Sequence, residues 1–193
     1  MLDMSMGATP QGPVIRILSA GARVAVTQLN PADRVSLVEF SASPRTILPL
    51  TDDVHKFESA LRKTGNWIVE REQHHLYDSL LAVLATFPDT IQPDTRRCIV
   101  VLTTASDAGS RHSASEVALA AKSKGAAIFV ALISPAPFPH PLGRATGPNT
   151  SFPNADNEIK ALEPLVRPTG GAVRVYEANQ YVIARTIAEM VNK

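Results

Sequence analysis

The spacing of apolar residues divides the chain into alternating helix-like and strand-like stretches. From Val14 they recur at 14, 15, 18, 22, 25, 26 and 29, the period of a helix with one buried face, and the stripe stops at Asn30-Pro31. "RVSLVEFSA" and "PRTILPLT" are rich in β-branched residues and partly alternate. The Ser-Ala-Ser-Pro turn between them is too short for a crossover, so they predict an antiparallel pair. "DDVHKFESALRKTG" predicts a short helix with an acidic start, a basic end and Gly65 as its stop. "HLYDSLLAVLATF" predicts a more apolar helix running up to Pro88.

"RRCIVVLTT" and "AAIFVALIS" are unbroken apolar runs, the pattern of strands buried on both faces. Between them "SASEVALAAKSKG" predicts a helix closed by Gly125. Residues 134–157 contain six prolines and no periodicity, which predicts a long irregular loop. The helix "NEIKALEPLVRPTGG", the strand "AVRVYEA" and the helix "QYVIARTIAEMVNK" complete the chain. Strands alternating with helices predict an α/β fold with a mostly parallel sheet covered on both faces. Right-handed crossovers gather any ligand site at the C-terminal edge of that sheet.

Composition narrows the function. At 193 residues and 45% apolar content the chain suits one domain spanning 1–193, without an internal repeat. Its first strand, Met1–Met4, starts late enough to suggest an excised domain. The net charge is +1 with scattered Lys and Arg, so the cationic footprint of a nucleic-acid binder is missing. No apolar run reaches membrane-span length, which gives no support to direct membrane insertion. The single cysteine, Cys98, lies in an apolar run and is expected to be a buried structural thiol. The turn "DMSMGATPQG" is not G-x-G-x-x-G, and no P-loop, G-x-S-x-G elbow or H-E-x-x-H helix occurs. An enzyme on this scaffold is therefore the least supported class.

Several blocks taken together are familiar. "LDMS" followed by a helix, "NPADRVSLVEFSASPRTILPLTDD", "HLYDSLLAVL", "RRCIVVLTTASDAGSRHS", "AAKSKGAAIFVALI" and "LVRPTGGAVRVYEA" resemble, in order, a von Willebrand factor type A domain, with the flavour of bacterial members. The resemblance implies a Rossmann-like three-layer sandwich with one antiparallel edge strand. It also implies a divalent-ion adhesion site, usually holding Mg2+, at the C-terminal edge, which captures a carboxylate from a partner protein. For the bacterial members it implies an envelope or exported setting within a larger protein.

Carried over position by position, that site is degenerate. Asp3 and Ser5 match, but Gly7 stands in place of the second serine, His74 in place of a threonine and Thr104 in place of an aspartate. Asp107 matches a later acidic position that the family does not use for the metal. Mg2+ requires near-octahedral oxygen and carboxylate charge, so no bound cofactor is expected, or at most a weak divalent ion. With His74 contributing, Mn2+ or Zn2+ would suit better. If both His74 and His75 were helical their side chains would diverge by about 100°, and the plainer expectation makes both partly exposed residues at a helix start. The expected function is a non-catalytic module that binds a protein ligand through Gly7, Trp67, His74, His75, Thr104, Asp107 and Arg111. A cation-dependent adhesion or assembly module using Asp3, Ser5, Thr104 and His74 is the alternative. Trp67 suits either a binding anchor or a core residue.

Overall fold

In the computed structural model of the chain, the described residues are 1–4, 22, 23, 26, 29–64, 74–103, 107–134 and 155–177. They form strands β1 (Leu2–Asp3), β2 (Val35–Phe40), β3 (Pro44–Thr51), β4 (Arg97–Thr103), β5 (Ala126–Ser134) and β6 (Val173–Glu177). The helices are α1 (Val54–Leu61), α2 (Leu76–Ala85), α3 (Ala114–Ser123) and α4 (Ala155–Val166), the last followed by a 3-10 turn, Arg167–Thr169. Of the first expected helix, Ala22, Arg23 and Val26 carry helical backbone. The last expected helix and most of the proline-rich stretch lie outside the described residues. The ends of that stretch differ from expectation: Ser134 belongs to β5, and 155–157 to α4.

Helix α3 shows how local chemistry sets the boundaries. Ser113 accepts from the Glu116 N–H while the Glu116 carboxylate accepts from the Ser113 N–H, the reciprocal capping that starts a helix. At the far end of α4 the chain turns through Gly170 and Gly171. A β-carbon at Gly171 would lie 1.7 Å from the Ile128 carbonyl oxygen, so only glycine lets β6 begin this close to β5.

One sheet is formed, in the order β3-β2-β1-β4-β5-β6. Its pairings are parallel except that of β2 with β3, which is antiparallel and puts β3 at an edge. Between Leu37↔Leu48 and its neighbouring pairs the register slips twice, each time inserting an extra residue in β3, the stretch that carries Pro49.

Strand alternation splits the core into two layers. Leu2, Met4, Leu37, Leu102, Ala131 and Ile133 face Phe57, Ala60 and Leu61 of α1. Phe40, Ile99, Val101, Ile128 and Val130 face Leu76, Leu80 and Leu84 of α2, Val117 and Ala121 of α3, and Leu162 and Leu165 of α4. Cys98 departs from expectation, because it is exposed. It shares the alternation of Val100 and Leu102 but sits one residue from the strand's start, outside the cluster those residues join.

Candidate functional site

The C-terminal ends of β1 and β4 meet beneath the start of α2. Leu2 is paired with Leu102, so the parallel ladder brings Asp3 beside Thr103, on the same face as Phe40. His74 comes from the segment entering α2. Its backbone is pinned from two sides: the His75 N–H donates to the Ser41 carbonyl at 2.9 Å, and the His74 carbonyl accepts from the Ala108 N–H at 3.0 Å. The imidazole tilts against the Phe40 ring, 5.4 Å between centroids.

Three polar side chains close into a triangle there. The Thr103 hydroxyl donates to Asp3 Oδ2 at 2.7 Å, His74 Nε2 lies 3.0 Å from the same oxygen, and Nε2 and Thr103 Oγ1 are 3.2 Å apart. All three residues are buried, Asp3 and His74 at 4% and 6% exposure and Thr103 at 0%. An ionised carboxylate only accepts, so with Asp3 charged Nε2 carries a hydrogen. This is not the geometry of a nucleophile triad, in which acid and hydroxyl engage opposite nitrogens of the imidazole.

A second layer surrounds the triangle. Asp107 accepts from the Tyr77 N–H at 3.1 Å, in the first turn of α2, and from Gly109 N–H, Ser110 N–H and the Ser110 hydroxyl. Asp78 of α2 reciprocates, accepting from the Arg111 and His112 N–H groups at 3.1 Å and lying 2.8 Å from His112 Nδ1. Partial burial pushes the Asp107 carboxyl up, but the hydrogen bonds from Ser110, Tyr77 and Gly109 outweigh it and hold the carboxyl below its ordinary range. Asp78 is likewise held low, its desolvation outweighed by the His112 ring and the two N–H groups. The loop 107–112 is thus bolted to the helix by two anions at a helix N-terminus, where the dipole favours them.

As expected, both histidines sit at a helix start: His75 is the N-cap of α2 and His74 precedes it, and His75 is partly exposed. Their rings still go separate ways, His74 to Asp3 and His75 against Gly109, where a β-carbon would meet Nε2 at 2.7 Å. Instead of being partly exposed, His74 lies beneath the edge, because the apolar Phe40 ring and the Asp3 carboxylate both receive it. Asp107 and the exposed Arg111 lie on the edge. Ser5, Gly7, Trp67 and Thr104, with the roles expected of them, fall outside the described residues. Thr103 and Asp78 were not anticipated. Period-two alternation from Ile99 and Val101 puts Thr103 on the Asp3 face, and that signal was available in the sequence.

The described donors by themselves do not make a Mg2+ site. One carboxylate, one hydroxyl and one imidazole fall well short of six oxygens, and no group of three His, Cys, Asp or Glu suited to a metal occurs among the described residues. A mixed oxygen and imidazole set is closer to zinc or manganese chemistry, and to ligate an ion Nε2 would have to leave its place 3.0 Å from Asp3 Oδ2.

A mostly parallel sheet with one antiparallel edge strand, packed against helices, defines a Rossmann-like α/β sandwich. The chain belongs to the von Willebrand factor type A domain family, whose model matches residues 1–108. Its fold is similar to that of the conserved hypothetical protein BatB from Bacteroides thetaiotaomicron, with TM-score 0.70 and 20% identity, covering 100% of this chain and 97% of that one. An aerotolerance-related membrane protein from Bacteroides fragilis NCTC 9343 gives TM-score 0.71 and 18% identity over 99% of this chain and 96% of that one. Proximal thread matrix protein 1 from the mussel byssus, solved with zinc in its adhesion motif, gives 0.68 and 13% over 98% of this chain and 46% of that one. At these identities the likeness is one of fold. No curated protein matches in sequence.

Proposed function

We propose that the chain is a non-catalytic protein-binding module that docks its partner through the C-terminal edge of the sheet without a divalent ion. The family is typically one of interaction and adhesion domains. The observation that carries the reading is the two-carboxylate bolt of Asp78 and Asp107, which fixes the backbone of loop 107–112 while leaving the Arg111 side chain exposed. A preorganised loop loses little entropy on binding. We read residues 1–193 as one such module, and its setting as the bacterial envelope, supported by the fold it shares with a membrane protein.

The test is retention of a partner from the source cells on the immobilised domain. The expected result is the same protein held in Mg2+ and in EDTA, released by Arg111→Glu and kept by Asp94→Lys at the opposite end of the sheet. The cation-dependent reading has its own support, in the retained Asp3 and the zinc held by the byssus protein's motif. Retention abolished by EDTA would establish that reading and sink the first.

A further inference from the structure

In an ion-dependent site of this family, the Asp3 position, the threonine before α2 and the aspartate after β4 are brought together by the cation. Here three of the five positions differ, and the described side chains engage one another directly. The Thr103 hydroxyl and His74 Nε2 both reach a single oxygen, Asp3 Oδ2, at 2.7 and 3.0 Å, and all three groups are buried. They come from three separate pieces of chain: β1, β4 and the lead-in to α2.

We propose that His74 is a positioning residue standing in for the cation, its Nε2–H and the Thr103 hydroxyl engaging Asp3 Oδ2 so that β1, β4 and the start of α2 are tied together from within the chain. The inference rests on the interaction-module reading and deepens it, since it says what holds the docking edge in place of a metal. The geometry supports the exchange. Asp3 Oδ2 meets two protein groups at hydrogen-bond distance, which takes up the lone pairs this oxygen would otherwise turn toward a cation. Buried groups of this kind are costly to leave half-satisfied, which ties the three residues to one another.

The residue that carries the exchange also has a second structural duty. The His74 carbonyl accepts from the Ala108 N–H, so the imidazole that holds Asp3 and the backbone that holds loop 107–112 move as one. Locking Asp3 from within therefore also sets where the loop begins.

The test uses the whole 193-residue chain without a partner, so its outcome is independent of whether any partner is captured. Long-range 1H–15N spectra of the wild-type domain should show His74 with its hydrogen on Nε2, unchanged by Mg2+, Mn2+ or Zn2+, and the same cations should leave the melting temperature unmoved. In variants, His74→Gln keeps an N–H at comparable reach and His74→Leu removes it. Gln should recover most of the melting temperature that Leu loses, and the difference between them should vanish in an Asp3→Ala background, which removes the acceptor. A bare Nε2, a cation-induced shift that Asp3→Ala abolishes, or a Gln–Leu difference that persists in Asp3→Ala would each overturn the proposal. If the Leu variant fails to fold, the wild-type spectra and cation titrations decide it alone.

Discussion

The two ends of the sheet are held by opposite charges. At the C-terminal end, Asp78 and Asp107 accept backbone N–H groups around the start of α2. At the N-terminal end, carbonyls at the close of α3 and in the segment that follows α2 are taken by cations. The Arg97 guanidinium donates to the Pro88 and Lys124 carbonyls at 2.7 and 2.9 Å and also to Thr90. Lys124 donates to the Phe87 carbonyl at 2.9 Å and pairs with Asp89. Each end meets the unsatisfied groups and the dipole pole that its helices present. The contrast lies in what is held. The far end ties the segment 86–96 to the start of β4 and the end of α3, whereas the near end ties loop 107–112 to the start of α2.

The comparison breaks first at glycine. Gly171→Ala drives a methyl into the Ile128 carbonyl, a backbone atom that cannot turn aside, and should cost more than about 3 kcal/mol in urea unfolding. Replacing Arg97 by Met strips three carbonyls of their donor. Because the side chain is only half-buried the loss should be about 2 kcal/mol, flat between pH 4 and 8. At the near end Asp107→Ala should cost about 1–2 kcal/mol at neutral pH. That cost depends on acidity. The folded-state carboxyl is held below its ordinary value, so its contribution is complete above the unfolded value near 4 and fades as pH falls through the folded one. Wild type and variant should converge in acid melts. Smallest of all is Gly109→Ala, at about 1 kcal/mol or less, because the obstacle is the His75 ring, a side chain that can swing away. Equal costs at 171 and 109 would refute the distinction between a backbone obstacle and a side-chain one.

Much of the scaffold was legible in the sequence, for a local reason. Runs such as "AAIFVALIS" and the Ser113–Glu116 cap declare strand and helix from neighbouring residues alone. The antiparallel edge pair followed from a turn too short for any other connection. The site was harder to read because its contacts span long stretches of chain. Asp3 meets Thr103 across 100 positions, and Asp78 meets Arg111 across 33. Family resemblance directed attention to Thr104, while the Asp3 face of the strand holds its neighbour. His74 suited a surface residue because histidine at a helix start is ordinarily wet. Only the meeting of Phe40 and Asp3 gives it a buried berth.

Strand β3, with its doubled slip in register and Pro49, has a consequence for how the molecule behaves in company. An exposed sheet edge is an invitation to polymerise, because its backbone can template a strand from a neighbouring chain. Irregular spacing and a residue without an N–H spoil that template. Along this flank the irregular edge works against copies zipping into a continuous sheet at high concentration.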